Sequence, residues 1–131
     1  MDSDYTPASG ARVTRQLLSR PERPTAIVYD SDVLAVTGLG VAHQMGFVVP
    51  EDVSIVGWDD SLMCRVVHPP LTAMTRDIVA YGSIVAVRLL KEIEGEAAGD
   101  VQAPTGELTP RGSTGPAAEL RRPRAVGQRG R

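Results

Sequence analysis

Thr25-Ala26-Ile27-Val28-Tyr29-Asp30-Ser31-Asp32 is an apolar run that stops abruptly on three polar residues. A run this short, bounded this way, reads as a buried strand entering a polar strand-to-helix turn. Asp32 or Ser31 can cap the segment that follows, Val33 to Met45, whose length and apolar content predict a buried helix. Gly38 and Gly40 lie inside it, each at a cost of about 1 kcal/mol against Ala. Such glycines are kept most easily where something packs against the helix backbone. The same grammar recurs downstream. Val53-Ser54-Ile55-Val56-Gly57 is a second strand, ending on Trp58-Asp59-Asp60. A short helix or irregular segment covers 61–67, His68-Pro69-Pro70 enforces extended chain, and Leu71 to Thr75 is a third strand. Helices alternating with short apolar strands predict an α/β fold with a mainly parallel sheet flanked by helices. In such sheets ligands sit beyond the carboxyl ends of the strands. Asp30-Ser31-Asp32 and Trp58-Asp59-Asp60 both fall there, so a binding cleft is expected between them.

Working outward, Thr6 and Pro7 open a helix over 7–20. Thr6 is an N-cap, and Pro7 sits where its missing N–H has no partner to lose. Pro21 and Pro24 stop that helix. From Asp77 to Glu94, the residues Ile78, Tyr81, Ile84, Val85, Leu89, Leu90 and Ile93 recur at helical spacing. Gly95 to Pro104 reads as a loop and 106–111 as a last, weak strand. Beyond Gly112 the chain is Gly, Pro, Ala and Arg, which predicts disorder, with 115–131 as an Arg-rich tail.

Composition narrows the functional classes. The chain has 131 residues, the size of one domain or a piece of one. Aromatics are 4%, so the core must come from aliphatic side chains. No apolar run approaches the roughly 20 residues that span a bilayer, and no membrane partner is expected. Met1-Asp2-Ser3-Asp4 is acidic with no apolar segment behind it, unlike a secretory signal. A single cysteine, Cys64, excludes an internal disulfide framework and a multi-cysteine metal site. These features suit the cytoplasm. The net charge of −2 conceals an asymmetry: Arg111 to Arg131 holds six Arg and one Glu, and the rest of the chain is acidic. An acidic body has no electrostatic reason to hold nucleic acid.

Candidate chemistry has a competing structural explanation at each position. The carboxylates Asp30, Asp32, Asp59 and Asp60 could serve acid–base chemistry or a hard cation, yet Asp is favoured after strands by backbone hydrogen bonding alone. Cys64, in Leu62-Met63-Cys64, reads as a structural thiol. His43 and His68 read as structural or surface residues. Gly38-Leu39-Gly40 lies within a helix, not at its start, and so fails the context of a dinucleotide fingerprint. No catalytic, metal or cofactor site is expected. The Arg tail reads as solvated chain.

Three strings in one register carry a resemblance: Pro24 to Asp32, then Val49-Pro50-Glu51-Asp52-Val53-Ser54-Ile55-Val56-Gly57-Trp58-Asp59-Asp60, then Pro69-Pro70-Leu71-Thr72. With Asp4-Tyr5-Thr6-Pro7-Ala8-Ser9-Gly10 upstream and Arg111-Gly112-Ser113-Thr114 downstream, the chain resembles the lactose/galactose-repressor family of bacterial transcription regulators. That family joins a helix-turn-helix domain to a two-lobed effector domain of the periplasmic sugar-binding type. The resemblance implies that residues 1–114 are the closing part of an effector domain. It implies that the helix over 77–94 belongs to an otherwise missing first lobe, and that the DNA reader lies outside this sequence.

Site residues follow from the same resemblance. Tyr5 matches an aromatic that stacks on a sugar ring. Ser31 matches a hydroxyl-binding position that is often Asn, and Asp32 a capping Asp beside the pocket. Asp59, next to Trp58, matches the carboxylate that accepts from sugar hydroxyls. Arg76 stands where the lactose repressor has Gln. An ionised Asp can accept from two adjacent hydroxyls, and an aromatic face suits a sugar's C–H side. Val36, Met63, Val66 and Val67 match positions of a homodimer interface. The implied function is effector binding for a sugar-responsive repressor, with a sugar or sugar derivative as ligand. A fragment of an exported transporter protein of similar fold is the alternative, and the missing leader pattern counts against it.

Overall fold

The computed structural model describes residues 4–96 and 99–117. In chain order the elements are α1 (Pro7–Leu18), β1 (Ala26–Val28), α2 (Asp32–Gln44), β2 (Ser54–Trp58), α3 (Leu62–Val66), β3 (Thr72–Thr75), α4 (Ile78–Ile93) and β4 (Glu107–Thr109). The strands form one sheet in the order β1-β2-β3-β4. The first two pairings are parallel, with Ile27 beside Ile55 and Gly57 beside Ala73. The last is antiparallel, with Ala73 beside Thr109. The mixed α/β architecture and mainly parallel sheet match the sequence reading.

Local chemistry sets the element boundaries. Thr6 Oγ1 accepts from the Ser9 amide at 3.2 Å and caps α1. The helix ends at Leu18, before the prolines. The Ser61 hydroxyl caps α3 by accepting from Met63 N at 3.3 Å. Asp77 caps α4 by accepting from Ala80 N at 2.8 Å.

The core lies between α2 and the sheet. Val53, Ile55, Leu71 and Ala73 are fully buried, with Leu34, Ala35, Leu39 and Ala42 of α2 over them. Burying each large side chain contributes about 1.5–3 kcal/mol. Helix α1 packs on the outside of α2. Thr14 bridges them to the sheet: its hydroxyl donates to Gly10 O at 2.8 Å and meets the Tyr29 hydroxyl at 2.8 Å. A hydroxyl has one proton, so Tyr29 is the donor to Thr14. The Tyr29 ring crosses α2 at Gly38, where a Cβ would fall 2.1 Å from the phenolic oxygen. Close packing therefore accounts for Gly38. It does not account for Gly40, around which nothing lies within 4 Å.

Two regions depart from a simple lobe. Helix α4 buries none of its residues. Ile78, Val79 and Ile93 are among its most exposed, at 69%, 80% and 73%. Conversely, the disorder expected beyond Gly112 is wrong for the first residues after it. Ser113 is fully buried. Its hydroxyl donates to Ile55 O at 2.6 Å and accepts from Thr72 N at 2.8 Å, and its carbonyl accepts from Ile55 N at 2.9 Å. Composition missed this because one serine supplies the three bonds that β2 and β3 lack there. Most of the expected tail, residues 118–131, lies outside the described residues.

Candidate functional site

The site begins at the carboxyl ends of β1, β2 and β3. Beyond β1 and β2 the ladder continues through Tyr29, whose N–H donates to Val56 O and whose carbonyl accepts from Trp58 N, both at 2.9 Å. This holds the Asp30-Ser31-Asp32 turn beside the Trp58-Asp59-Asp60 turn.

At the end of β2 the backbone changes hand. Asp59 has φ +69°, and Tyr5 at φ +61° is the other non-glycine residue with positive φ among the described residues. Side chains other than Gly occupy that region at a cost, Asp less than most. Both residues are expected ligand contacts. Backbone strain of this kind clusters at functional sites.

The reversal sends two neighbouring carboxylates to different places. Asp59 turns outward, where Arg76 Nη2 donates to its Oδ1 at 2.9 Å. Both side chains are nearly half exposed, so the pair contributes about 0–1 kcal/mol. The Arg76 guanidinium also lies 5.8 Å from the Trp58 ring centroid, within cation–π range. Its stem passes Gly106, where a Cβ would come within 2.9 Å of Arg76 Cγ. Trp58, Asp59 and Arg76 therefore form one contiguous, solvent-facing cluster.

Asp60 turns inward. Its side chain is 5% exposed. Arg111 grips it through Nη1 to Oδ1 at 2.9 Å and Nη2 to Oδ2 at 2.7 Å, and Arg65 adds a bond at 3.1 Å. The Arg111 hydrogen bond, more than any other influence, holds the Asp60 carboxyl below its ordinary range, against the opposing effect of burial. Sequence reasoning missed this pair by counting Arg111 with the basic tail. The available signal was its place in Arg111-Gly112-Ser113-Thr114, at the edge of the last strand.

On the β1 side the Tyr5 hydroxyl donates to Asp30 Oδ2 at 2.6 Å, which raises the Tyr5 pKa. Ser31 is the N-cap of α2 but makes no side-chain capping bond. The Asp32 carboxylate accepts from Val33 N at 2.7 Å. Cys64 is buried, and burial pushes its thiol pKa up, consistent with a structural thiol. Among the described residues no group of three or more His, Cys, Asp or Glu could hold a metal ion. No described helix is long and apolar enough to cross a membrane.

The expected interface residues divide. Met63 and Val66 are exposed, at 46% and 70%. Val36 and Val67 are partly buried and pack against the core. Leu62, which the sequence reading did not single out, is 72% exposed beside them.

This architecture, a mainly parallel sheet with polar turns at its carboxyl edge, is one in which ligands sit beyond the strand ends. Residues 2–114 match the family model of the periplasmic binding protein-like domain. The chain belongs to that family. It is 36% identical over 112 residues to the HTH-type transcriptional repressor CytR of Escherichia coli K12, an alignment covering 85% of this chain and 33% of that protein. It is similar to the crystal structure of a LacI family transcriptional regulator from Bifidobacterium animalis subsp. lactis, with a TM-score of 0.87 and 50% identity over 90% of this chain and 44% of that one. It is also similar to a complex of the transcriptional regulator CelR with cellobiose, with a TM-score of 0.75 and 33% identity over 85% of this chain and 34% of that one. The chain thus spans about a third of the length of the curated relatives it matches. These relatives are transcription regulators, and the segment matches part of each.

Proposed function

We propose that the carboxyl edge of this sheet is one wall of an effector cleft for a sugar or sugar derivative in a cytoplasmic transcription repressor. The observation that carries the reading is the Trp58–Asp59–Arg76 cluster, which presents an aromatic face, a carboxylate and a guanidinium together at the strand ends. Asp59 accepts from sugar hydroxyls and Arg76 donates to sugar oxygens. Tyr5 and Trp58 cover the C–H side of the ring. Ser31 adds a hydroxyl, and Asp32 holds the start of α2. The CelR relative was solved with cellobiose, a ligand of this class.

In this reading residues 1–114 are the closing part of the effector domain, and 115–131 are a tail. The helix over 77–94 belongs to the first lobe, which would cover the stripe that α4 leaves in solvent. Met63 and Val66 form the outer part of a homodimer interface backed by Val36 and Val67. DNA is contacted only through a helix-turn-helix domain outside this segment. The role is binding, with no catalysis and no cofactor.

A binding cleft normally buries 70–90% of its ligand between its walls. One wall alone predicts weak binding. The test is a titration of the chain with mono- and disaccharides, cellobiose included, followed by Trp58 fluorescence. The expected result is a weak, saturable response that Asp59→Ala removes. A folded chain that responds to no sugar, or whose response survives Asp59→Ala, contradicts the reading.

A further inference from the structure

We propose that Arg111 is a positioning residue for the Trp58–Asp59 corner of the effector site, acting through Asp60. The inference rests on reading the strand ends as that site. Asp60 holds four donor contacts from three parts of the fold. Arg111, just beyond β4, supplies two of them, at 2.9 and 2.7 Å. Arg65 of α3 supplies one at 3.1 Å, and Thr75 Oγ1 of β3 donates at 3.2 Å. The Thr75 proton is thereby used, so Thr109 of β4 donates to Thr75 across their 2.6 Å contact.

Arg111 is itself fixed at both ends. Its Nη1 also donates to Leu71 O at 2.7 Å, and its amide donates to Thr72 Oγ1 at 2.9 Å. A guanidinium fork on both oxygens of a carboxylate constrains orientation as well as distance. Asp59 is one peptide away, in the left-handed region at φ +69°. Holding Asp60 inward leaves the preceding residue to make the turn outward toward Arg76. If Asp60 were released, Asp59 could relax to an ordinary φ and its carboxylate would leave Arg76 and the Trp58 face. Lysine at 111 keeps the charge but cannot reproduce the fork.

Trp58 is the chain's single tryptophan, so its fluorescence reports this corner without any effector. The full chain is compared with Arg111→Lys, Arg111→Met and Ser113→Ala. Ser113 is the control: it also anchors the segment after β4, through Ile55 and Thr72, and touches neither Asp59 nor Asp60. The expected result is a shifted Trp58 emission maximum and greater acrylamide quenching in both Arg111 variants, well below their melting temperatures. Arg111→Met should show the larger change. Ser113→Ala should melt at lower temperature with native Trp58 emission unchanged. An unchanged Trp58 signal in the Arg111 variants, or an equal change in Ser113→Ala, overturns the proposal. If Arg111→Met does not fold, Arg111→Lys decides by the same criterion. A cellobiose titration of the unaltered chain runs alongside. Its failure would count against the effector reading and leave the Trp58 comparison intact, so the two ideas fail separately.

Discussion

Tyr29 reaches Thr14 across the backbone of Gly38, ending 2.8 Å from the threonine hydroxyl. One contact thereby ties β1, α2 and α1 together. Its geometry explains why a helix this buried tolerates a glycine at its middle. Desolvation raises the pKa of the Tyr29 phenol, so the group stays neutral and keeps donating through the physiological range.

The two glycines of α2 should therefore respond to alanine with opposite signs. At Gly38 a Cβ would sit 2.1 Å from the Tyr29 oxygen, and the ring has to move. Overpacking of this kind costs about 1–3 kcal/mol, more than the gain in helix propensity. At Gly40 the space is open, and alanine should stabilise by up to about 1 kcal/mol. Urea unfolding of Gly38→Ala and Gly40→Ala checks this. Two shifts of the same sign would refute the packing explanation.

Asp60 should give the chain an acid-sensitive step. Its carboxyl is held below the ordinary range, first by the Arg111 hydrogen bond. A carboxyl lowered on folding contributes stability that is fully present above its unfolded pKa, about 3.9. That contribution is lost as pH falls through the lower, folded value. Melting temperature should thus be insensitive to this group from neutral pH down to about 5, then fall. Asp60→Asn should be less stable at pH 7, by about 1.5–3 kcal/mol for the lost charged hydrogen bonds. It should also show a shallower acid limb. An acid limb as steep as that of the unaltered chain would assign the effect to other carboxylates.

Much of this architecture is legible in the residues. The strands show as apolar runs cut off by polar residues, and the helix starts as Thr6-Pro7 and Asp77, because local chemistry dictates both. The cluster of Trp58, Asp59 and Arg76 is only partly legible. Trp58 and Asp59 are adjacent in sequence, but Arg76 joins them only because β3 runs parallel beside β2. Asp60–Arg111 and Ser113 were not legible from composition. Each depends on a pairing across more than fifty residues, and their sequence surroundings resemble ordinary loop and tail. Two residues of the expected dimer set, Val36 and Val67, face the core as well, since an apolar residue near a surface turn looks the same whichever way it faces.

Asp59 should trade stability for binding. Its left-handed backbone costs an ordinary residue roughly 1–2 kcal/mol and Asp less than that, whereas Gly adopts it freely. The carboxylate returns little, since its pair with Arg76 is exposed. Asp59→Gly should accordingly unfold at higher urea concentration than the unaltered chain and lose any response to sugars. Asp59→Ala should lose the response without the gain in stability. If Asp59→Gly is destabilised, the left-handed turn is not a source of strain, and its association with the site loses its physical basis.

Helix α4 makes the strongest demand on its surroundings. Ile78, Tyr81, Val85, Leu89 and Ile93 stay exposed along one helix, at 47–73% each. Arg88 donates to the Gly99 carbonyl of the neighbouring loop. Burying each large apolar side chain contributes about 1.5–3 kcal/mol, so a partner that covers the stripe gains a large driving force. An apolar patch of this kind on a chain in solution promotes association. Light scattering should therefore show the chain self-associating as concentration rises. Leu89→Glu with Ile93→Lys should suppress this, because both substitutions place charges on the stripe and remove no buried side chain. Leu62→Glu, on α3, should leave the α4-driven component in place. A chain that stays a sharp 14.0 kDa monomer at all concentrations and melts cooperatively would show that the exposed stripe is tolerated. The stripe would then need no covering lobe.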